Sequence, residues 1–182
     1  MRRTAVAWAL VSLLATPVFA VAGDVPTQHQ VLNDITESVN QYVYYTIFDD
    51  VSASVEGGVV TLTGKVTMGY KRNAIAERVA AVPGVSEVRN EIGFLPVSLL
   101  DDALRYRIAR NIYRDVRFRQ YHAINAPVHI VVEHGRVTLK GTVHDNVERM
   151  QARSLAIATG ALTVTNELLT EAEARAARET VI

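Results

Sequence analysis

An α+β fold is predicted, built as two tandem α-β-β-α-β domains, each with two helices packed on one face of a three-stranded mixed sheet. Three observations predict it. The stretch Gly58-Val59-Val60-Thr61-Leu62-Thr63-Gly64-Lys65-Val66 returns 77 residues later as Gly135-Arg136-Val137-Thr138-Leu139-Lys140-Gly141-Thr142-Val143. A second segment, running from Gly84 to Ile92, returns from Gly160 to Leu168 at a spacing of 76. Such a unit is too long to be one rung of a solenoid and is a whole small domain. Within each unit, two-residue alternation marks strands and i, i+3, i+7 spacing marks helices.

The N-terminus stands apart. Arg2 and Arg3 precede an apolar run from Ala5 to Ala15, and Ala20 and Ala22 form an A-x-A site. This predicts a secretory signal peptide over residues 1–22, cleaved after Ala22 or Ala20, and too short to span a bilayer. The expected location is the periplasm. The chain has no cysteine, so the exported domains must hold together by packing alone, and no thiol is present to carry a lipid.

Residues 30–95 form the first predicted domain. Leu32, Ile35, Val39 and Tyr42 give its opening helix an apolar stripe. A strand from Val51 to Val55 turns at Gly57-Gly58, where two glycines supply the positive φ angles of a tight hairpin. The return strand places Val60 and Leu62 on one face and Thr61 and Thr63 on the other. Ile75, Val79 and Val82 mark a second helix, ended by Pro83-Gly84. The third strand, Val85 to Phe94, turns Val88, Asn90 and Ile92 inward.

A short linker, residues 96–98, predicts that the two domains touch. The second domain, residues 99–169, opens with a helix from Leu99 to about Val116 whose core side is Leu104, Ile108 and Ile112. Its hairpin is Pro127–Glu133 and Arg136–Val143. Asp145 and Glu148 make a D-x-x-E cap for the next helix, and Leu162 to Leu169 is the closing strand. Residues 170–182 are a charged, alanine-rich tail.

The pattern G-x-V-x-L-x-G, then a helix, then G-V-x-x-V-x-N resembles the BON domain, named for bacterial osmotically induced and nodulation proteins. The resemblance covers both copies, with Gly160-Ala161 departing from Gly-Val in the second. It implies a non-enzymatic periplasmic module. It further implies either contact with phospholipid through the second domain, or chaperone-like holding of unfolded envelope or secreted proteins during osmotic stress.

The residues themselves carry no catalytic constellation: there is no G-x-S-x-G, no H-E-x-x-H and no phosphate-binding glycine loop. No cofactor is expected. His122, His129, His134 and His144 lack a ligand spacing, so no metal is expected either. Asn90 and Asn166, sharing parity with apolar neighbours, are expected to tie the third strand to an adjacent loop. Thr61, Thr63, Thr138, Lys140, Thr163 and Thr165 line the open sheet faces, which are either solvated surface or a place where the repeats or a client dock.

One stretch differs between the copies. Residues 24–98 carry a net charge of −4, whereas residues 99–169 carry +3. On a helical projection of about 100° per residue, Arg107, Arg110, Arg114 and Arg117 fall opposite the core stripe, flanked by Tyr106, Tyr113 and Phe118. The first copy has Asp34 and Glu37 in the corresponding helix and no base. Three function classes follow: an anionic-phospholipid surface binder using these seven residues, a chaperone for unfolded envelope proteins, or a structural envelope protein. Nucleic acid is not an expected partner, because export separates the chain from it.

Overall fold

The computed structural model describes residues 26–121 and 126–179. The predicted signal peptide and His122 lie outside them. Element order is α1 (Gln28–Asn40), β1 (Asp50–Glu56), β2 (Val59–Val66), α2 (Gly69–Ala80), β3 (Glu87–Asn90), β4 (Gly93–Phe94), α3 (Leu99–Arg114), β5 (Val128–Glu133), β6 (Arg136–Val143), α4 (Asn146–Ile157), β7 (Thr163–Asn166), β8 (Leu169–Thr170) and α5 (Glu171–Glu179). Each half is a mixed sheet with the hairpin antiparallel and the later strands parallel to β2 or β6.

The expected third strand is two strands in each copy, so each sheet has four. β3 and β4 both pair with β2, and β7 and β8 both pair with β6. Asn90 explains the break. Its side-chain amide donates to the Arg72 carbonyl of α2 at 3.0 Å, while its Oδ1 accepts from the Ile92 N–H. Asn166 does the same with Arg149 of α4 and with Leu168. The asparagine therefore ties the strand to a helix, not to a loop, and satisfies an amide freed by the break. Asn166→Ala is expected to destabilise the protein by about 1–3 kcal/mol, read from urea denaturation. A shift no larger than that of an exposed surface substitution would refute this role.

The two motif glycines have a steric cause. Gly64 and Gly141 sit at φ +108° and +113°, and a Cβ there would lie 2.2 Å from the Asp50 carbonyl oxygen or 2.0 Å from that of Pro127. Only glycine admits the crossing of the partner strand. The first hairpin turn behaves as predicted, with positive φ at Gly57 and Gly58, and the second turns at His134 and Gly135, also at positive φ.

Each domain has its own core between sheet and helices. In the first, Val60, Leu62, Val66, Ile75, Val79 and Ile92 are buried; in the second, Ile108, Ile112, Val137, Leu139 and Phe118. The stripe of α1 is Val31, Ile35 and Val39; Leu32 is only half-buried. Ile35, Val39 and Tyr42 are buried as expected, and a capping box in which Thr27 and Gln30 satisfy each other's backbone amides fixes where the helix starts. At α4, Asp145 caps the Glu148 amide, but the Glu148 carboxylate accepts from the His144 N–H in place of the capping residue's own.

The domains touch, as the short linker predicts. The Ile130 N–H donates to the Ile47 carbonyl at 2.7 Å, and His129 Nδ1 lies 2.6 Å from the Asp49 carbonyl oxygen. Ile47 and Phe48 pack against the second core. Lys65 pairs with Glu133 and Lys140 with Asp50, so part of the open sheet surface is where the repeats meet. Val131 points away from the helices yet is buried, between His129 and Glu133, both tied to the first domain. The tail is helical as α5, held by Arg149–Glu173 and by burial of Ala174.

Candidate functional site

The site is the outward face of α3. Its position is set by the inward face: Leu104, Ile108 and Ile112 enter the second core, which turns residues about 180° away toward solvent. Ser98 caps the helix by accepting from the Asp101 N–H. Asp101 is itself buried, and its carboxylate accepts from the His134 and Gly135 amides, pinning the helix start to the β5–β6 turn.

The arginines of the run divide into two kinds. Arg105 is buried, donates to the Val132 carbonyl at 2.7 Å and pairs with Asp102, so it stitches the helix to β5. Arg107, Arg110, Arg114 and Arg117 are all exposed. Among the described residues none of these four takes part in an ion pair. The nearby acids are occupied elsewhere: Asp101 with the hairpin, Asp102 with Arg105, Asp115 with Gln151 and the Arg117 amide. Arg107, Arg110 and Arg114 thus leave an uncompensated positive strip on one side of α3, and Arg117 adds a fourth exposed guanidinium in the 3-10 turn that follows.

The aromatic residues grouped with them do not form one set. Tyr106 is 62% exposed and meets Phe48 of the first domain edge-on, with ring centroids 5.1 Å apart. Tyr113 turns inward instead. Its hydroxyl donates to the Val128 carbonyl and accepts from the Val128 N–H, and burial pushes it well above the usual tyrosine range. Phe118 is fully buried in the second core. The helix ends at Arg114 and a 3-10 turn covers Val116–Phe118, so the helical projection that placed Phe118 at the edge does not extend that far. Neither Tyr113 nor Phe118 is on the surface as an anchor.

What the sequence reading missed lies at the other end of the helix. Val97, Leu99 and Leu100 are 99%, 88% and 83% exposed. From Leu99, the steps to Ala103, Arg107, Arg110 and Arg114 keep one helix face, so the exposed side is apolar at its start and cationic beyond. The available signal was the uncharged run from Phe94 to Leu100, in which only Leu95 is buried.

The other candidates resolve as structure. His134 occupies the hairpin turn, His129 the domain junction, and His144 lies 3.5 Å from Glu171. Among the described residues no three metal-ligating side chains come together. Thr138, Thr163 and Thr165 line a shallow polar groove with Arg136 on the open face of the second sheet.

Comparison with known proteins places both halves. The family model for the BON domain matches residues 30–96 and again residues 101–172. No curated protein matches the chain significantly. Among solved structures, the C-terminal domain of CdsD, a structural protein of the type III secretion system of Chlamydia trachomatis, is 16% identical. That match covers 84% of this chain and 70% of that one, with a TM-score of 0.29. A second CdsD structure is 12% identical over 84% of this chain and 98% of that one, with a TM-score of 0.27. Both scores are too low for the likeness to bear on what this chain does.

Proposed function

The chain belongs to the BON-domain family, and from that membership together with the arginine face of α3 we propose a non-enzymatic envelope protein that binds anionic phospholipid through its second domain. BON domains are linked to membrane or lipid binding and to envelope roles, and their proteins are typically periplasmic or membrane-associated. The family is non-enzymatic in general. Among the described residues no helix is long and apolar enough to cross a membrane, so the contact is read as peripheral. The predicted signal peptide would deliver the protein to the periplasmic face of that membrane.

The observation that carries this reading is the strip of Arg107, Arg110, Arg114 and Arg117, exposed and without acidic partners among the described residues. Each such cation near an anionic surface contributes about 1 kcal/mol, fading over roughly one Debye length. Four of them support a Kd of about 1 mM unaided. Tyr106, the aromatic residue of the run that is exposed, adds an interfacial contact of the kind tyrosine makes at headgroup depth.

The test is co-sedimentation with phosphatidylglycerol vesicles across a salt series. The parent protein is expected to bind weakly at low salt, ignore phosphatidylcholine, and release as salt rises. Replacing all four arginines by glutamine is expected to remove binding while leaving the circular dichroism spectrum unchanged. A quadruple variant that sediments like the parent, or a parent that ignores anionic vesicles at low salt, refutes the lipid reading. Holding of unfolded envelope proteins, which exposed apolar side chains also favour, would then take its place, measured as suppression of aggregation.

A further inference from the structure

We infer that the membrane contact is shared by both domains: a band of apolar side chains on the first domain, the linker and the start of α3 enters the interfacial layer of the same anionic bilayer that the arginine face meets. This rests on the lipid reading above and extends it to the domain whose opening helix carries no Lys or Arg. The band is Tyr44, Tyr70, Phe94, Val97, Leu99 and Leu100, each between 52% and 99% exposed.

Its continuity can be followed through the structure. The rings of Tyr44 and Tyr70 meet edge-on at 5.9 Å. Beside Tyr70, a Cβ on Gly69 would touch the Phe94 ring at 3.7 Å. Phe94 is three residues from Val97, which bounds their separation at about 11 Å. Leu99 and Leu100 then open α3, whose same face continues into Arg107 and Arg110. Single exposed apolar side chains are ordinary, but a connected band of this kind marks a contact surface.

Charge selects the occupant. From Phe94 to Leu100 the sequence Phe-Leu-Pro-Val-Ser-Leu-Leu has no ionisable side chain. Arg72, half-buried and tied to the Asn90 carbonyl, lies over the Phe94 ring at 5.6 Å. At the other end Asp101 and Asp102 are taken up by the hairpin amides and Arg105, and the exposed arginines of α3 lie beyond them. An apolar strip bounded by cations fits the boundary between acyl chains and anionic headgroups. A second copy of this chain docked there would set one arginine face near another, at a cost in like-charge repulsion.

The sequence provides a clean reporter, because Trp8 is its one tryptophan. In the processed protein, which loses Trp8 with the predicted signal peptide, or in a Trp8→Phe background where the leader is retained, Phe94→Trp places a single fluorophore in the band, with circular dichroism as the folding control. With phosphatidylglycerol vesicles, the indole emission from position 94 is expected to shift to the blue and to be quenched by brominated acyl chains. Phosphatidylcholine vesicles are expected to leave it unchanged. If the protein co-sediments with anionic vesicles while the position-94 signal stays that of water, the band does not touch the membrane; this inference falls and the lipid reading stands. If there is no co-sedimentation, both fall. If the signal shifts on adding an unfolded protein and not on adding vesicles, the band is a polypeptide-docking surface and the inference is likewise overturned.

Discussion

Asp49→Ala is expected to destabilise the first domain by about 3–5 kcal/mol, the usual consequence of stranding one member of a buried ion pair. Asp49 is fully buried. One carboxylate oxygen accepts from Lys71 at 2.6 Å and from the amide and hydroxyl of Thr46; the other accepts from the amide and hydroxyl of Thr67. Removing the carboxylate leaves the Lys71 ammonium, only 4% exposed, with the Thr67 hydroxyl as its remaining partner. It also orphans two backbone amides. Lys71→Met should cost less, because the carboxylate keeps four donors. Urea denaturation of the two variants reads the order, and equal or reversed losses would refute this account.

The same carboxylate carries a pH signature. Burial by itself raises its pKa, but the hydrogen bonds from Lys71, Thr67 and Thr46 outweigh burial and hold it below the usual aspartate value. A depressed folded-state pKa means that the contribution to stability is complete above the unfolded aspartate range. It is lost as pH falls through the folded value. The wild type should therefore lose stability on acidification in that window more steeply than Asp49→Asn. The Asp49 carbonyl also receives His129, so loosening this loop weakens the junction between the domains.

The fold was legible because a repeat states its core twice. Val60, Leu62 and Val66 match Val137, Leu139 and Val143, and all six are buried. Buried charge was not legible. Lys71 and Glu148 occupy equivalent places in the two copies; Lys71 reads as an ordinary polar helix position and Glu148 as part of a D-x-x-E cap, yet both are buried and both bind the loop that precedes the hairpin. Lys71 does so through Asp49; Glu148 accepts from Tyr121 and Gln120, and burial followed by Glu148 pushes the Tyr121 hydroxyl up to about 12. Opposite charges perform one task because each copy's loop supplies the complement. Local sequence cannot show that, since the complement is 22 residues away in one copy and 27 in the other.

The candidate site was legible only as far as helical geometry extends. Arg107, Arg110 and Arg114 lie within α3 and are exposed as a periodic pattern requires. Beyond Arg114 the chain leaves the helix, Asp115 takes an extended conformation, and angular projection loses its meaning. Arg117 is exposed, Phe118 is not. Tyr113 sits at the edge of the projection, where a bond to the β5 backbone decides its orientation. Val97 gave no periodic signal, because the linker has no period, and Leu99 opens α3 on the face opposite the core stripe, where the apolar period says nothing.

Phe118→Ala follows from that misreading and separates its two meanings. A Phe at a membrane edge would be worth little to the folded protein in water, and its loss would weaken vesicle binding alone. Phe118 instead has no exposed surface and packs in the second core, with the Tyr121 ring centroid 6.1 Å away. Deleting a fully buried benzyl group removes its transfer free energy and leaves a cavity, together about 3–5 kcal/mol. The loss should appear as a lower urea midpoint for the second domain with no lipid present. At temperatures where the variant remains folded, most vesicle binding should be retained, because Arg107, Arg110 and Arg114 of the strip are carried by α3 and Arg117 alone by the 3-10 turn. A variant as stable as the parent but deficient in vesicle binding would show that this ring leaves the core to meet the membrane.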